Sequence, residues 1–178
     1  MAIRFVACLV LLSGLGCATP KVTVRVDSYA GAGGIARAAP LCFAASADAN
    51  LSNRTRHAEL VAACSRAARD VGINVVPEGT PSCNAAQLAW RTKKAGAYGG
   101  RTTLGLDGIL HEDTIYYAKT VDITVTAAGA TAFESRADLA TQNPDFSDTT
   151  AYVACHAIFH EYPSRVANKR YTVAEPKK

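Results

Sequence analysis

The sequence has no second apolar run of about 20 residues after its N-terminal one, which excludes a polytopic membrane protein. It is also short of charge of one sign. A formal net charge of +4, spread over scattered basic residues, gives no nucleic-acid footprint. The 13 glycines and 7 prolines carry no collagen-like period, and an apolar fraction of 49% excludes a disordered chain. The signatures of common chemistries are missing as well. There is no Cys-x-x-Cys, Gly-x-Ser-x-Gly elbow, phosphate-loop lysine motif, dinucleotide fingerprint or paired-carboxylate spacing. The glycine-rich stretches at 31–34 and 99–100 lack the strand-to-helix setting of a phosphate cradle and read as turns. No catalysis and no cofactor are therefore expected.

What is present begins with an export address. Arg4, an apolar stretch over residues 5–12 and small residues leading to Cys17 follow the order of a signal peptide. The segment LLSGLGC resembles the lipobox of bacterial lipoproteins, with Gly14 where an aliphatic residue is usual and Gly16 as the small residue before the cysteine. The resemblance implies removal of residues 1–16, lipidation of Cys17, and a membrane partner engaged through that N-terminal lipid. Ala18 in place of an aspartate is compatible with the outer membrane. Ordinary secretion, with cleavage near Cys17 or after Ala18, and an uncleaved signal are the competing readings. Cleavage before Cys17 leaves 162 of the 178 residues, one domain's worth. Residues 17–21 then form the lipidated terminus and linker, 22–163 a single domain, and 164–178 a basic C-terminal tail.

The domain reads as alternating strands and two helices. Val22, Val24 and Val26 alternate with Thr23, Arg25 and Asp27 as in a half-buried strand, and residues 39–44 form a second, expected to pair with the first like a hairpin. A helix is predicted over about 55–71, with Ser52 or Asn53 as cap and Gly72 as stop; Leu60, Val61, Cys64, Ala67, Ala68 and Val71 form its apolar stripe. Short strands follow at 73–76 and 85–91, a loop at 96–100, and a weak strand at 103–110. Over 114–127, Ile115, Tyr117, Val121, Ile123 and Val125 share one side, with Lys119 the exception. Thr114, Tyr116, Thr120, Asp122, Thr124 and Thr126 share the other, as in a sheet with one wet face. A further strand is expected over 131–136 and a helix over 149–160, capped by Ser147 or Asp148, with Ala151, Ala154, Cys155 and Ile158 inward. Residues 171–173 either add an edge strand or hang free.

Two one-sided helices need a sheet to cover. The expectation is an α+β two-layer sandwich: a mostly antiparallel or mixed sheet of about five strands with both helices on one face. The lipobox-like cysteine, the VxVxVxSY opening strand, the long helix and the late small helix resemble small bacterial envelope lipoproteins whose exported domain is of the DUF4136 type, over roughly Val22 to Tyr162 with Tyr29, Gly72 and Trp90 among the matching positions. That family brings no catalytic residue or cofactor to carry over.

Six cysteines become five when Cys8 leaves with the signal, and four once Cys17 carries lipid. In an oxidising compartment, Cys42, Cys64, Cys83 and Cys155 then read as two disulfides. Three pairings are open, with helix-to-sheet staples favoured over a helix-to-helix one. His156 and His160 share a helix side but lack the internal glutamate and third ligand of a zinc site, and read as a polar face. His57 and His111 read as exposed residues, and no metal is expected. Tyr98 and Tyr116 are candidates for surface contact, with Tyr117 and Trp90 in the core. The function that follows is a lipid-anchored envelope domain, placed at the outer membrane and facing the periplasm or the surface, with a structural or protein-contacting role. The alternative is a binding module for a small ligand or envelope polymer, distinguished by a concave site of polar and aromatic groups.

Overall fold

The computed structural model describes residues 21–31, 34–45, 51–98 and 114–176. Residues 1–20, with the expected export signal and Cys17, lie outside them, as do the expected strand at 103–110 and His111. The chain forms β1 (Lys21–Ala30), β2 (Leu41–Phe43), α1 (Leu51–Asp70), β3 (Asn84–Tyr98), β4 (Thr114–Ala127), β5 (Ala130–Thr141), α2 (Asp148–His160) and β6 (Val166–Ala174). The strands make one mixed sheet in the order β2-β3-β4-β5-β1-β6, and both helices cover one face of it. The two-layer sandwich is as expected, with six strands in place of about five.

Alternation drives the sheet. Val24, Val26, Val121, Ile123, Val125, Phe133, Ala137 and Leu139 point inward and are buried, while the residues that alternate with them, Ser135 apart, are half-buried or exposed. The β4–β5 turn has positive φ at both central residues, Ala128 (49°) and Gly129 (79°), as a type I′ hairpin requires. At the far end of β1, Gly31 donates to the Ala132 carbonyl at 2.8 Å, and a Cβ there would stand 2.5 Å from the Thr131 oxygen. Only glycine fits that approach.

Several sequence expectations are corrected. β1 and β2 are not a hairpin: β2 lies at the other side of the sheet, parallel to β3, with α1 as the crossover, and β1 sits between β5 and β6. Parallel neighbours need such a crossover, and strand patterning does not name partners. The strand expected at 73–76 is reduced to a single bridge between Val75 and Leu41. β3 runs on through the expected loop to Tyr98, with a register shift between Lys94 and Gly96. Of the two readings of the tail, the edge strand is formed, as β6.

The helices lock the inner face. Ser147 caps α2, its Oγ accepting from the Thr150 amide at 3.1 Å, and nearly every side chain from Thr150 to Phe159 is buried. Small residues let the helices approach: Cys64 of α1 is bonded to Cys155 of α2, and Cys42 is bonded to Cys83 across the β2–β3 end of the sheet. The expected preference for helix-to-sheet staples is overturned, because both helices lie side by side on one face and present their apolar stripes to each other as well as to the sheet. Arg37, in the β1–β2 connection, donates to the carbonyls of His160, Tyr162 and Val71. One guanidinium thus meets the carbonyl-rich C-terminal ends of both helices, where a cation is favoured.

Candidate binding face

The face of the sheet away from the helices carries charges of both signs in register. One row across the strands holds Asp122, Arg136 and Asp27; the next holds Thr120, Asp138 and Arg25. Neighbouring strands lie about 4.8 Å apart and alternate residues about 6.6 Å, so these groups stand on a regular lattice. Asp122 accepts from Arg136 at 2.7 Å and from Arg91 at 2.8 Å; Asp138 accepts from Thr120 at 2.7 Å and Arg25 at 3.3 Å. The hydrogen bond to Asp122 holds the Arg136 guanidinium even further above neutrality. These pairs are open to solvent, where each contributes about 1 kcal/mol or less. Their main effect is orientation.

A concave groove of ≈ 700 Å³ opens on this lattice, lined among others by Tyr29, Asp122, Thr124, Glu134, Arg136 and Arg165. Its centre is self-paired and its end is not. Tyr29, the one large apolar side chain exposed among the described residues at 55%, stands directly across from Glu134 in the β1–β5 ladder. Glu134 and Arg165 have no ion pair or hydrogen bond to another side chain among the described residues. An aromatic face, a carboxylate and a guanidinium therefore converge on one open end.

The sequence candidates fall elsewhere. Cys17 is outside the described residues, as is the side chain of Tyr98, whose backbone pairs with Thr114. Tyr116 is half-buried and does not line the groove. The aromatic group of the site is Tyr29, whose signal was its place on the polar side of β1 after Arg25 and Asp27. Tyr117 and Trp90 are half-buried, and Trp90 packs against the core.

None of the described histidines lines the groove. His57, expected to be exposed, is buried at 8%, its Nε2 3.1 Å from the Ala44 carbonyl and its ring against Trp90. The correction follows from α1 turning this polar position onto the sheet. His156 is half-buried beside Tyr152, and burial, reinforced by His160, lowers its pKa below the ordinary value. Tyr152 donates to Asp70 at 2.7 Å; its burial, ahead of that bond, pushes its pKa up to about 12. His160 stands with Glu161 at 3.3 Å, and Lys169 holds the Glu161 carboxyl below its usual range from 2.6 Å. Among the described residues no three His, Cys, Asp or Glu side chains converge as metal ligands.

Lys119, the exception in β4, is fully buried and donates to the carbonyls of Pro144 and Asp145, each at 2.6 Å. Burial lowers its pKa. It latches the β5–α2 connection to the sheet and does not reach the groove.

No family model and no curated protein matches the chain. Among solved structures it is similar to a PDZ domain protein from Parabacteroides distasonis, at 12% identity and TM-score 0.48 over 86% of this chain, and it spans 39% of that protein's length. It is also similar to a PelC dodecamer from Paraburkholderia phytofirmans in two crystal forms, at 13% and 11% identity, each with TM-score 0.45 over 77% of this chain and 95% of that one.

Proposed function

We propose that the open sheet face is a ligand-binding surface, and that this domain is a binding module for a hydroxyl-rich envelope polymer or one of its fragments, carried in the bacterial envelope by a lipid on Cys17. The observation that carries the reading is the groove end where Tyr29, Glu134 and Arg165 converge beside an oriented charge lattice. An exposed aromatic face stacks on a sugar ring, carboxylates accept from hydroxyl or amino groups, and guanidinium donates to hydroxyl or carboxylate oxygens. Mixed signs, already balanced in the centre, suit a ligand with many donors and acceptors better than one with a single large charge. The lipid tether is supported by the lipobox-like approach to Cys17 and by two disulfides that belong in an oxidising compartment. It agrees with the likeness of the opening strand and helix order to envelope lipoproteins of the DUF4136 type.

The test is a titration of the isotope-labelled chain from residue 17, with Cys17→Ser, against soluble oligosaccharides and muropeptides released from bacterial envelope, followed by amide shifts. Shifts concentrated on β1, β4 and β5 around Tyr29, Glu134 and Arg165, and lost in Tyr29→Ala, support the reading. Shifts confined to the helices, or none with any probe, sink it.

A further inference from the structure

The register of the sheet sets a row of another kind beside the paired charges. Gln87 pairs with Thr124, Thr124 with Glu134 and Glu134 with Tyr29, so four side chains from β3, β4, β5 and β1 stand directly opposite one another across the strands. They belong to the outer face, because their chain neighbours Ala86, Leu88, Ile123, Val125, Phe133 and Ser135 are buried. Gln87, Glu134 and Tyr29 are exposed and Thr124 is half-buried. None of the four side chains has a hydrogen bond or ion pair among the described residues. The row is about 14 Å long, three strand spacings of about 4.8 Å.

Its two flanks differ. Toward the middle of the sheet, Asp122 is taken by Arg136 and Arg91, and Asp27 by the Asn168 amide at 2.6 Å, so that flank is a wall of charges already engaged. Toward the β4–β5 turn stand Ala85, Thr126 and Thr131, whose short side chains make a low rim. Between them Thr124, Glu134 and Tyr29 line the groove, with Arg165 beyond Tyr29 on the β6 side. The groups along the row are those that a neutral sugar chain uses. A phenol ring stacks on the face of a pyranose, and a carboxylate accepts from two neighbouring hydroxyls. Threonine and glutamine both donate and accept, and the glutamine amide matches an acetamido group at two points. The one negative charge of the row, Glu134, has Arg165 at the same groove, which leaves no field of one sign to hold a polyion. A 1,4-linked equatorial sugar unit advances by about one strand spacing, about 5 Å, so the period of such a chain matches that of the row.

We infer that a linear, uncharged sugar chain crosses the strands along this row: Tyr29 stacks one ring, Glu134 and Thr124 hold the polar groups of the next, and Gln87 takes the third. The inference rests on the binding surface proposed for this face. It gives the ligand a direction, a working length of about three units at one unit per strand spacing, and two further contacts, Thr124 and Gln87. A chain running along β1 and β5 instead would lie on Arg25, Asp27, Arg136 and Asp138, whose polar groups are already engaged.

The probe is the series of β-1,4-linked N-acetylglucosamine oligomers from the single sugar to the pentamer, titrated into the isotope-labelled chain from residue 17 with Cys17→Ser and both disulfides intact. Affinity is expected to rise severalfold with each unit up to the trimer and to level beyond the tetramer, with amide shifts spreading from Tyr29 through Glu134 and Thr124 to Gln87. Gln87→Ala lowers the affinity for the tetramer about fivefold, as for loss of one hydrogen bond, and leaves the single sugar unchanged, whereas Tyr29→Ala weakens every length. Equal affinity at all lengths, a tetramer indifferent to Gln87→Ala, or shifts that run down β1 and β5 through Arg25 and Asp138 overturns the crossing path while binding at Tyr29 stands. If muropeptides bind and no oligomer of the series does, the uncharged chain is overturned and the binding surface is kept. If neither binds, the surface itself fails and the path with it.

Discussion

Replacing Cys64 and Cys155 together by alanine tests how much of this domain's stability comes from the bond between its helices. The bond joins residues 91 apart in sequence, and closing a loop of that length removes chain entropy equivalent to about 4.6 kcal/mol at 25 °C. This is an upper figure, because the Cys42–Cys83 bond, spanning 41 residues, interleaves with it and already restricts the unfolded chain. Loss of two sulfur atoms from a fully buried site adds a packing cost in the same direction. Against a total of about 5–15 kcal/mol for a domain, the variant stands near the limit of folding. With a urea slope of roughly 2 kcal/mol/M, its unfolding midpoint falls by about 2 M, measured by circular dichroism on the chain from residue 17 with Cys17→Ser. The Cys42→Ala and Cys83→Ala pair is expected to fall by slightly less, since its loop is shorter and one partner is nearer the surface. A shift below about 0.5 M for the helix pair refutes the reasoning. Peptide mapping without reduction that joins Cys64 to any partner other than Cys155 refutes its premise.

Three further outcomes follow from single sites. Tyr162→Phe removes a buried hydroxyl with no partner among the described residues and should raise stability by about 1 kcal/mol at neutral pH, read as a higher melting temperature. Burial pushes the Tyr162 pKa up to about 12 from 10.0, so the unfolded chain ionises first; its contribution is intact below pH 10 and is lost as pH rises toward 12, and the phenylalanine variant should lose less over that window. Arg37→Ala uncovers the ends of both helices and should cost about 1–2 kcal/mol, with faster amide exchange in their last turns as the check; unchanged exchange there counts against the clamp. Gly31→Ala forces a methyl against the Thr131 carbonyl oxygen and should cost about 1–3 kcal/mol in a denaturant titration, whereas a neutral result means that β1 and β5 part more easily than the geometry implies.

The elements legible in the sequence were those with an unmixed local signal. β4 spans the expected residues because a long β-branched alternation leaves one face wet, and α2 begins at its serine cap. The partners were not legible. Val22 to Val26 mark β1 as a strand, yet nothing local says that β6 is its neighbour and β2 is not. The stripes of α1 and α2 turned Cys64 and Cys155 inward, but the choice between sheet and helix as partner depends on two helices lying abreast. Lys119 breaks the pattern of its strand, and its reason lies in Pro144 and Asp145, 25 and 26 residues away. The candidate site shows the same division. Arg25, Asp27 and Asp122 were assigned to wet faces, while their lattice, and the meeting of Tyr29 with Glu134, exist only once register is fixed.

β1 is held on both sides, by β5 from Val24 to Ala30 and by β6 from Lys21 to Ser28. A pull applied at Lys21 therefore runs along the strand axis and across the hydrogen bonds of two ladders, which lie perpendicular to it. Those bonds share the load and must shear together; they cannot open one after another as they would at a peeled edge strand. A load applied at Lys21 thus meets both ladders together before the sheet can unravel.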